Sequence, residues 1–380
     1  MFRQITTFLL AAVYFSTTSA SLLERFEDWV KDHSIIHKDD DHRLKTLNTW
    51  TTNDKYIDDV NSRNLTYTLG HNQFSGMSSD EFNNNMGFQF TLEKIDSSKI
   101  ESKVHNIKIK IHEIKCLKDC VDDYDTSNKL DTVSCVTGCI QTAKNDLSTL
   151  ARSIPDAIDW EKNGAVTPVK NQGQCGSCWS FSTTGALEGA YYIKNGVLDS
   201  FSEQQLVDCD TRKNGGKDMG CNGGLMDSAF SWIEKNGGLC TEEDYAYTSG
   251  TTKTAGSCDT SCSIVSGSEI ISYTDVKANS DSDMMTALAQ QPVSIAIQAD
   301  QKDFQLYNSG VFTGSCGTQL DHGVLVVGYG NLDGDNYYRV KNSWGTTWGD
   351  KGYIYLGRGD TFNNGSGQCG MLMQASYPTV

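Results

Sequence analysis

Residues 154–380 predict an α+β fold, and three observations carry that reading. Apolar residues recur at helical spacing over 177–194 and 225–235, in the first half of this stretch. The second half carries short β-branched and aromatic runs, 293–297, 324–329 and 337–341, separated by glycine turns. No repeat and no linker rich in proline, glycine or serine divides the halves, so a helical half and a sheet half are expected to share one site between them.

The remainder of the chain precedes that part. Its 380 residues suffice for two or three folded units. Residues 1–20 place Arg3 ahead of the apolar stretch 8–15 and end on Thr18-Ser19-Ala20, which reads as a secretory signal peptide cleaved after Ala20. The apolar run is far short of the roughly 20 residues that span a bilayer. Residues 22–90 are polar and free of cysteine and proline, with helical spacing at Leu22, Phe26, Trp29, Val30 and Ile36. Lys and Arg number 32 against 48 Asp and Glu, a net charge of −16, of which 12 charges fall from residue 154 onward. Such a balance argues against nucleic acid and against an acidic membrane surface as partners. Thirteen cysteines, an odd number, leave at least one thiol over in an exported chain whose default is disulfide pairing. Export also makes Asn64-Leu65-Thr66 and Asn364-Gly365-Ser366 acceptors for glycans.

Two C-x-x-x-C pairs, Cys116 with Cys120 and Cys135 with Cys139, flank a linker rich in Asp, Ser and Asn. The spacing puts each pair on one helix face. Folding the two helices back on one another sets Cys116 opposite Cys139 and Cys120 opposite Cys135, one of the three connectivities open to four cysteines. Four thiolates holding zinc is the rival reading, which export disfavours. Residues 104–151 resemble the small plant peptides called α-hairpinins, two helices stapled by two bridges, and 99–153 is delimited as a Cys-rich helical hairpin insert.

The densest local signal is Gln172-Gly173-Gln174-Cys175-Gly176-Ser177-Cys178-Trp179-Ser180-Phe181. Ser177 is expected to N-cap the helix that begins there, which puts Cys178 in its first turn. Unpaired N–H groups and the helix dipole favour a thiolate at that place. Cys175 and Cys178 also have the spacing of a redox pair, although no strand leads into them. A nucleophilic cysteine needs a base and an orienting group. His322, at the head of an apolar strand, and Asn342 in Lys341-Asn342-Ser343-Trp344-Gly345 are the candidates; the other six histidines all precede Cys116.

Cys175-Gly176-Ser177-Cys178-Trp179, with His322 and Asn342 far downstream, resembles papain-like cysteine proteases. The resemblance runs over 154–380 and includes Ser202-Glu203-Gln204-Gln205-Leu206-Val207-Asp208-Cys209, Gly220-Cys221-Asn222-Gly223-Gly224 and Asn342-Ser343-Trp344-Gly345. It implies a two-lobed fold, a helical lobe beside an antiparallel β-barrel-like lobe. It implies that Cys178 attacks a peptide carbonyl, that His322 is its imidazolium partner and acid, and that Asn342 orients the imidazole under Trp344. Gln172 would offer its amide to the oxyanion. Gly223 and Gly224 would pair with substrate backbone, and Leu225, Met226, Ala296, Gly323 and Gln374 would line the pocket for the second residue before the cleaved bond, with Asp321 also at the site. Gln374 lacks the acid that some relatives carry at the pocket floor, so Leu or Phe is expected there rather than Arg. The resemblance further bridges Cys175 with Cys221, Cys209 with Cys258 and Cys316 with Cys369, leaves Cys240 and Cys262 for one more bridge, and keeps Cys178 free.

Residues 21–98 resemble an inhibitory propeptide of the cathepsin L type. Trp50, Asn53, Ile57 and Asn61 fall at its helix spacing, and Gly70, Asn72 and Phe74 match the motif that follows. His42 and Thr46 replace a Glu and an Arg, and Gly76 replaces an Asp, which puts acid-triggered release in doubt. The segment Met86-Gly87-Phe88 is expected in the cleft. The chain is thus expected to be a secreted or lysosome-like (vacuolar) endopeptidase zymogen with polypeptide substrates, its own propeptide as inhibitor, a monomeric state, and no cofactor, metal, nucleic acid or membrane. The alternatives are a secreted inhibitor or binding protein with a degenerate protease part, and a peptide ligase on the same scaffold.

Overall fold

The computed structural model describes residues 22–86 and 154–380. The signal segment 1–20, residues 87 and 88 of the expected cleft segment, and Cys116, Cys120, Cys135 and Cys139 lie outside the described residues.

Residues 22–32 form helix α1. Helix α2 (Asp40–Asn61) starts at Asp39, whose carboxylate accepts from the His42 N–H, satisfying one of the donors a helix start leaves open. The two helices close on one another through Phe26, Trp29 and Trp50, with Phe26 5.7 Å from both indoles. Strand β1 (Tyr67–Leu69) and helix α3 (Ser79–Met86) complete this region. Its asparagines clamp backbone: Asn53 donates to Ser75 O, Asn61 donates to and accepts from Leu69, and Asn72 donates to Gln305 O.

From residue 154 the chain forms β2 (Ile158–Asp159), α4 (Cys178–Asn195), α5 (Glu203–Cys209) and α6 (Met226–Asn236). Then come β3 (Ser272–Asp275), α7 (Asp281–Leu288), β4 (Val293–Ile297), β5 (Tyr307–Phe312), β6 (His322–Leu332), β7 (Asp335–Lys341), β8 (Tyr353–Gly357) and β9 (Ala375–Thr379). The expected helices are present one residue further along, and the expected strands 324–329 and 337–341 lie inside the longer β6 and β7. The nine strands run in the order β1-β5-β8-β7-β6-β4-β9-β3, with β2 on β6. The sheet is antiparallel except at β5–β8, and its path stays open rather than closing as a barrel. The parallel pair arises because the β6–β7 hairpin intervenes between β5 and β8, giving the chain length that a parallel return needs.

Helix α4 is the centre of the packing: every residue from Cys178 to Tyr191 is buried. Its polar side chains are spent internally. Ser182 Oγ donates to Val324 O at 2.7 Å on β6, and Ser294 Oγ on β4 donates to Ser182 O at 2.8 Å. Gly185 and Gly189 let the sheet approach, since a Cβ would sit 2.8 Å from Leu325 Cδ2 and 2.6 Å from Pro292 Cγ respectively. Disulfides join Cys175 to Cys221, Cys209 to Cys258, Cys240 to Cys262 and Cys316 to Cys369. Cys178 is the one free cysteine among the described residues, so Cys175 is not its redox partner.

Gly189→Ala tests the close approach. In an open helix the change gains up to about 1 kcal/mol; against the Pro292 ring it is expected to destabilise the fold by about 1–3 kcal/mol, read from denaturant unfolding.

Candidate active site

Cys178 is the first residue of α4, where backbone N–H groups lack helical partners. The expected side-chain cap by Ser177 does not form; the serine hydroxyl lies 2.7 Å from Tyr247 Oη instead. Burial pushes the Cys178 thiol up to about 11, although the Gly323 and Trp179 N–H groups pull the other way.

His322 opens β6 and is wholly buried. Its Nε2 lies 2.8 Å from Asn342 Oδ1, and its ring stacks on Trp344 with centroids 4.7 Å apart. Asn342 Oδ1 also accepts from the Ser343 N–H at 2.8 Å. That oxygen has no proton to give, so the hydrogen-bond pattern assigns the imidazole proton to Nε2 and makes Nδ1 the basic nitrogen. Burial pushes the imidazole down to about 4, against the opposing pull of Asn342. Burial thus disfavours the charged form of each of these two groups.

Gln172 is fully buried and held at several atoms. Its N–H donates to Ser343 O at 2.8 Å, its Oε1 accepts from Ser343 Oγ at 2.6 Å, and its Nε2 donates to Cys175 O at 3.0 Å. One amide hydrogen is thus committed to Cys175, and because that carbonyl can only accept, the Cys175 bond fixes which end of the carboxamide is nitrogen and leaves Oε1 to accept from Ser343. The sequence reading did not single out Ser343; its signal was its place between Asn342 and Trp344.

The expected specificity residues come from separate elements. Met226 starts α6, Ala296 lies on β4 opposite Gly323 on β6, and a Cβ on Gly323 would approach Met226 Sδ at 3.1 Å. Gln374 O accepts from Ala296 N at 3.0 Å, while its buried Oε1 has no hydrogen-bond partner among the described residues. Leu225 is half-buried. Asp321 accepts from the Ala299 N–H at 2.8 Å, and burial raises its carboxyl to about 7. Gly224 is required by the protein's own packing, since a Cβ would sit 2.6 Å from Trp179 Cδ2. Asn64 and Asn364 are both exposed.

The N-terminal region packs on the same residues. Phe74 and Phe82 meet Trp344 edge-to-face at 5.5 and 5.4 Å. Gln73 donates to Trp344 O at 2.6 Å and accepts from Thr347 Oγ1 at 2.8 Å. Strand β1 adds to the edge of β5, and Tyr56 and Tyr67 both donate to Asp303, an anchor that no motif announced. Thr46 and Gly76, two of the departures from the propeptide pattern, face one another: a Cβ on Gly76 would sit 2.6 Å from Thr46 Cγ2. A methyl group against a glycine occupies the place expected for opposite charges.

Among the described residues no group of three or more His, Cys, Asp or Glu could hold a metal ion, and no helix is long and apolar enough to cross a membrane. The sequence model of the papain family cysteine protease matches residues 154–379, and that of the cathepsin propeptide inhibitor domain matches residues 26–82. The senescence-specific cysteine protease SAG39 of Oryza sativa subsp. indica is 37% identical over 367 residues, 95% of this chain and 91% of that protein. Vignain of Ricinus communis is 40% identical over 359 residues, 94% of this chain and 86% of that protein. Among solved structures, a recombinant stem bromelain precursor superposes with a TM-score of 0.73 at 32% identity, covering 95% of this chain and 99% of that one. The proform of the ragweed pollen allergen Amb a 11, a cysteine protease, gives 0.71 at 32% identity over 94% of both chains. The chain therefore belongs to the papain family of cysteine proteases, an endopeptidase zymogen carrying a cathepsin-type propeptide ahead of its peptidase domain.

Proposed function

We propose that this endopeptidase hydrolyses peptide bonds with Cys178 as nucleophile, His322 as its base and then its acid, Asn342 as the orienter of the imidazole, and Gln172 as an oxyanion donor. The single observation that carries the reading is the 2.8 Å His322–Asn342 bond beneath Trp344, because it fixes the ring as the Nε2–H tautomer and so makes Nδ1 the basic nitrogen. Proton transfer from Cys178 to Nδ1 forms a thiolate and an imidazolium. The thiolate adds to the substrate carbonyl, and the oxyanion draws on the Cys178 N–H and the second amide hydrogen of Gln172. Collapse expels the amine, protonated by His322, and water then hydrolyses the thioester by the same route. Trp344 excludes water from the Asn342 bond.

The propeptide, read as 21–98 after a signal at 1–20, inhibits by sitting on Trp344 and on the edge of β5. The buried thiol and imidazole belong to that closed form. The apolar Met226, Ala296 and Gly323 favour a bulky apolar residue at the second position before the cut. The signal segment and the glycan acceptors Asn64 and Asn364 support passage through the secretory pathway to an extracellular or vacuolar destination, as a monomer.

Three outcomes are expected. Cys178→Ala removes the nucleophile and lowers kcat on peptide substrates by on the order of 10⁴-fold or more, with the circular dichroism spectrum unchanged; residual turnover that a thiol-directed epoxide still blocks would reassign the nucleophile. In the proform burial pushes the thiol up to about 11, so its thiolate fraction is small at pH 7 and grows as pH rises. Iodoacetamide labelling of the proform, followed by intact mass, should accordingly be very slow at pH 7 and accelerate toward pH 10, whereas the processed enzyme labels readily at pH 7. Fluorogenic peptides with Phe or Leu at the second position should exceed the Arg peptide in kcat/KM by about tenfold or more, the scale of one buried apolar contact; Arg first would show the pocket misassigned.

A further inference from the structure

Tyr247 belongs to none of the motifs that point to the site, yet its hydroxyl joins two segments that build it. It lies 2.9 Å from the carbonyl oxygen of Gln172 and 2.7 Å from the hydroxyl of Ser177, the residue before Cys178. Proton counting gives both bonds a direction. The Gln172 carbonyl can only accept, so the phenol donates to it; the phenol then offers only lone pairs, and Ser177 donates to Tyr247. Two bonds in series polarise one another, which strengthens each. The phenol is itself held in place, with Phe181 edge-to-face at 4.9 Å and its backbone N–H bonded to Glu242 Oε1 at 2.9 Å. Burial keeps the phenol protonated far above neutral pH, so the donor is always present.

The remaining anchors of Gln172 leave a gap that this hydroxyl fills. Ser343 holds the Gln172 N–H and Oε1, and Cys175 holds Nε2. None of these fixes the carbonyl, whose peptide plane sets where Gly173 and the turn toward Cys178 depart. We propose that Tyr247 is a positioning residue for the oxyanion site, setting the Gln172 amide and the Cys178 N–H in register by bonding the Gln172 carbonyl and the Ser177 hydroxyl with one phenol. This rests on the oxyanion role of Gln172 given above. Tyr247 touches no reacting atom and acts through Gln172 and Ser177.

The test compares Tyr247→Phe, Gln172→Ala and the double variant in the activated enzyme produced from the full chain. Tyr247→Phe is expected to lower kcat about tenfold with KM unchanged, less than the 10²–10³ typical for removing an oxyanion donor outright. Alkylation of Cys178 by iodoacetamide forms no oxyanion, so it should proceed at the wild-type rate and report an intact thiol–imidazole pair. In the double variant the Tyr247 effect should vanish, giving the rate of Gln172→Ala alone within about twofold. The proposal is overturned if Tyr247→Phe turns over peptides at the wild-type rate, if alkylation slows in step with hydrolysis, or if the two substitutions multiply. Full activity of Gln172→Ala would instead remove the oxyanion role of Gln172 itself.

Discussion

The burial of helix α4 between its own lobe and the sheet is the constraint on which the site depends. The helix that starts at Cys178 packs closely against the segments that run into β4 and along β6, the strand that starts at His322, because Gly185 and Gly189 present no side chain to Leu325 and Pro292. The crossing hydroxyl bonds of Ser182 and Ser294 then fix the sliding position of helix against strand. From Cys178 to Tyr191 this helix has no solvent face, so each polar group there must find a partner within the fold.

A cluster of buried charge reinforces the same contact. Lys170 Nζ lies 3.0 Å from Glu188 on α4 and 2.6 Å from Glu203 at the start of α5. Lys341, the residue before Asn342, donates to Thr167 at 3.0 Å, and Thr167 donates to Glu188 at 2.6 Å. Burial lowers Lys341 to about 8, opposed by the charge of Glu188. Such a network adds little net stability against an apolar alternative, but breaking one member leaves an unpaired buried charge. Its effect is to tie the end of β7, which leads into Asn342, to the helix that carries Cys178.

The propeptide packs on the tryptophan that stacks on His322. Trp344 stacks on the His322 ring and meets Phe74 and Phe82 edge-to-face, while Gln73 grips the backbone beside it. The Thr46–Gly76 contact replaces, within the propeptide, the charges expected there. Tyr56 and Tyr67 instead bring their hydroxyls to Asp303, so the polar anchoring of this propeptide lies on the peptidase surface as well as inside its own core.

Local sequence determined much of this protein. The helix at 178, the apolar strand opening at His322 and the Asn-Ser-Trp segment were legible because periodicity, glycine turns and short-range spacing are local properties. The leftover thiol followed from arithmetic on thirteen cysteines. The tertiary structure alone decided that Ser177 gives its hydroxyl to Tyr247 instead of capping its helix, that Ser343 orients Gln172, that Asp303 receives two phenols, and that the sheet stays open with a parallel pair. Each of these joins residues distant along the chain, where partner choice depends on how α4 and the sheet are packed. The states of Cys178 and His322 belong to the same class: both residue types are readable in the sequence, but burial sets their protonation, and burial is a property of the assembled fold.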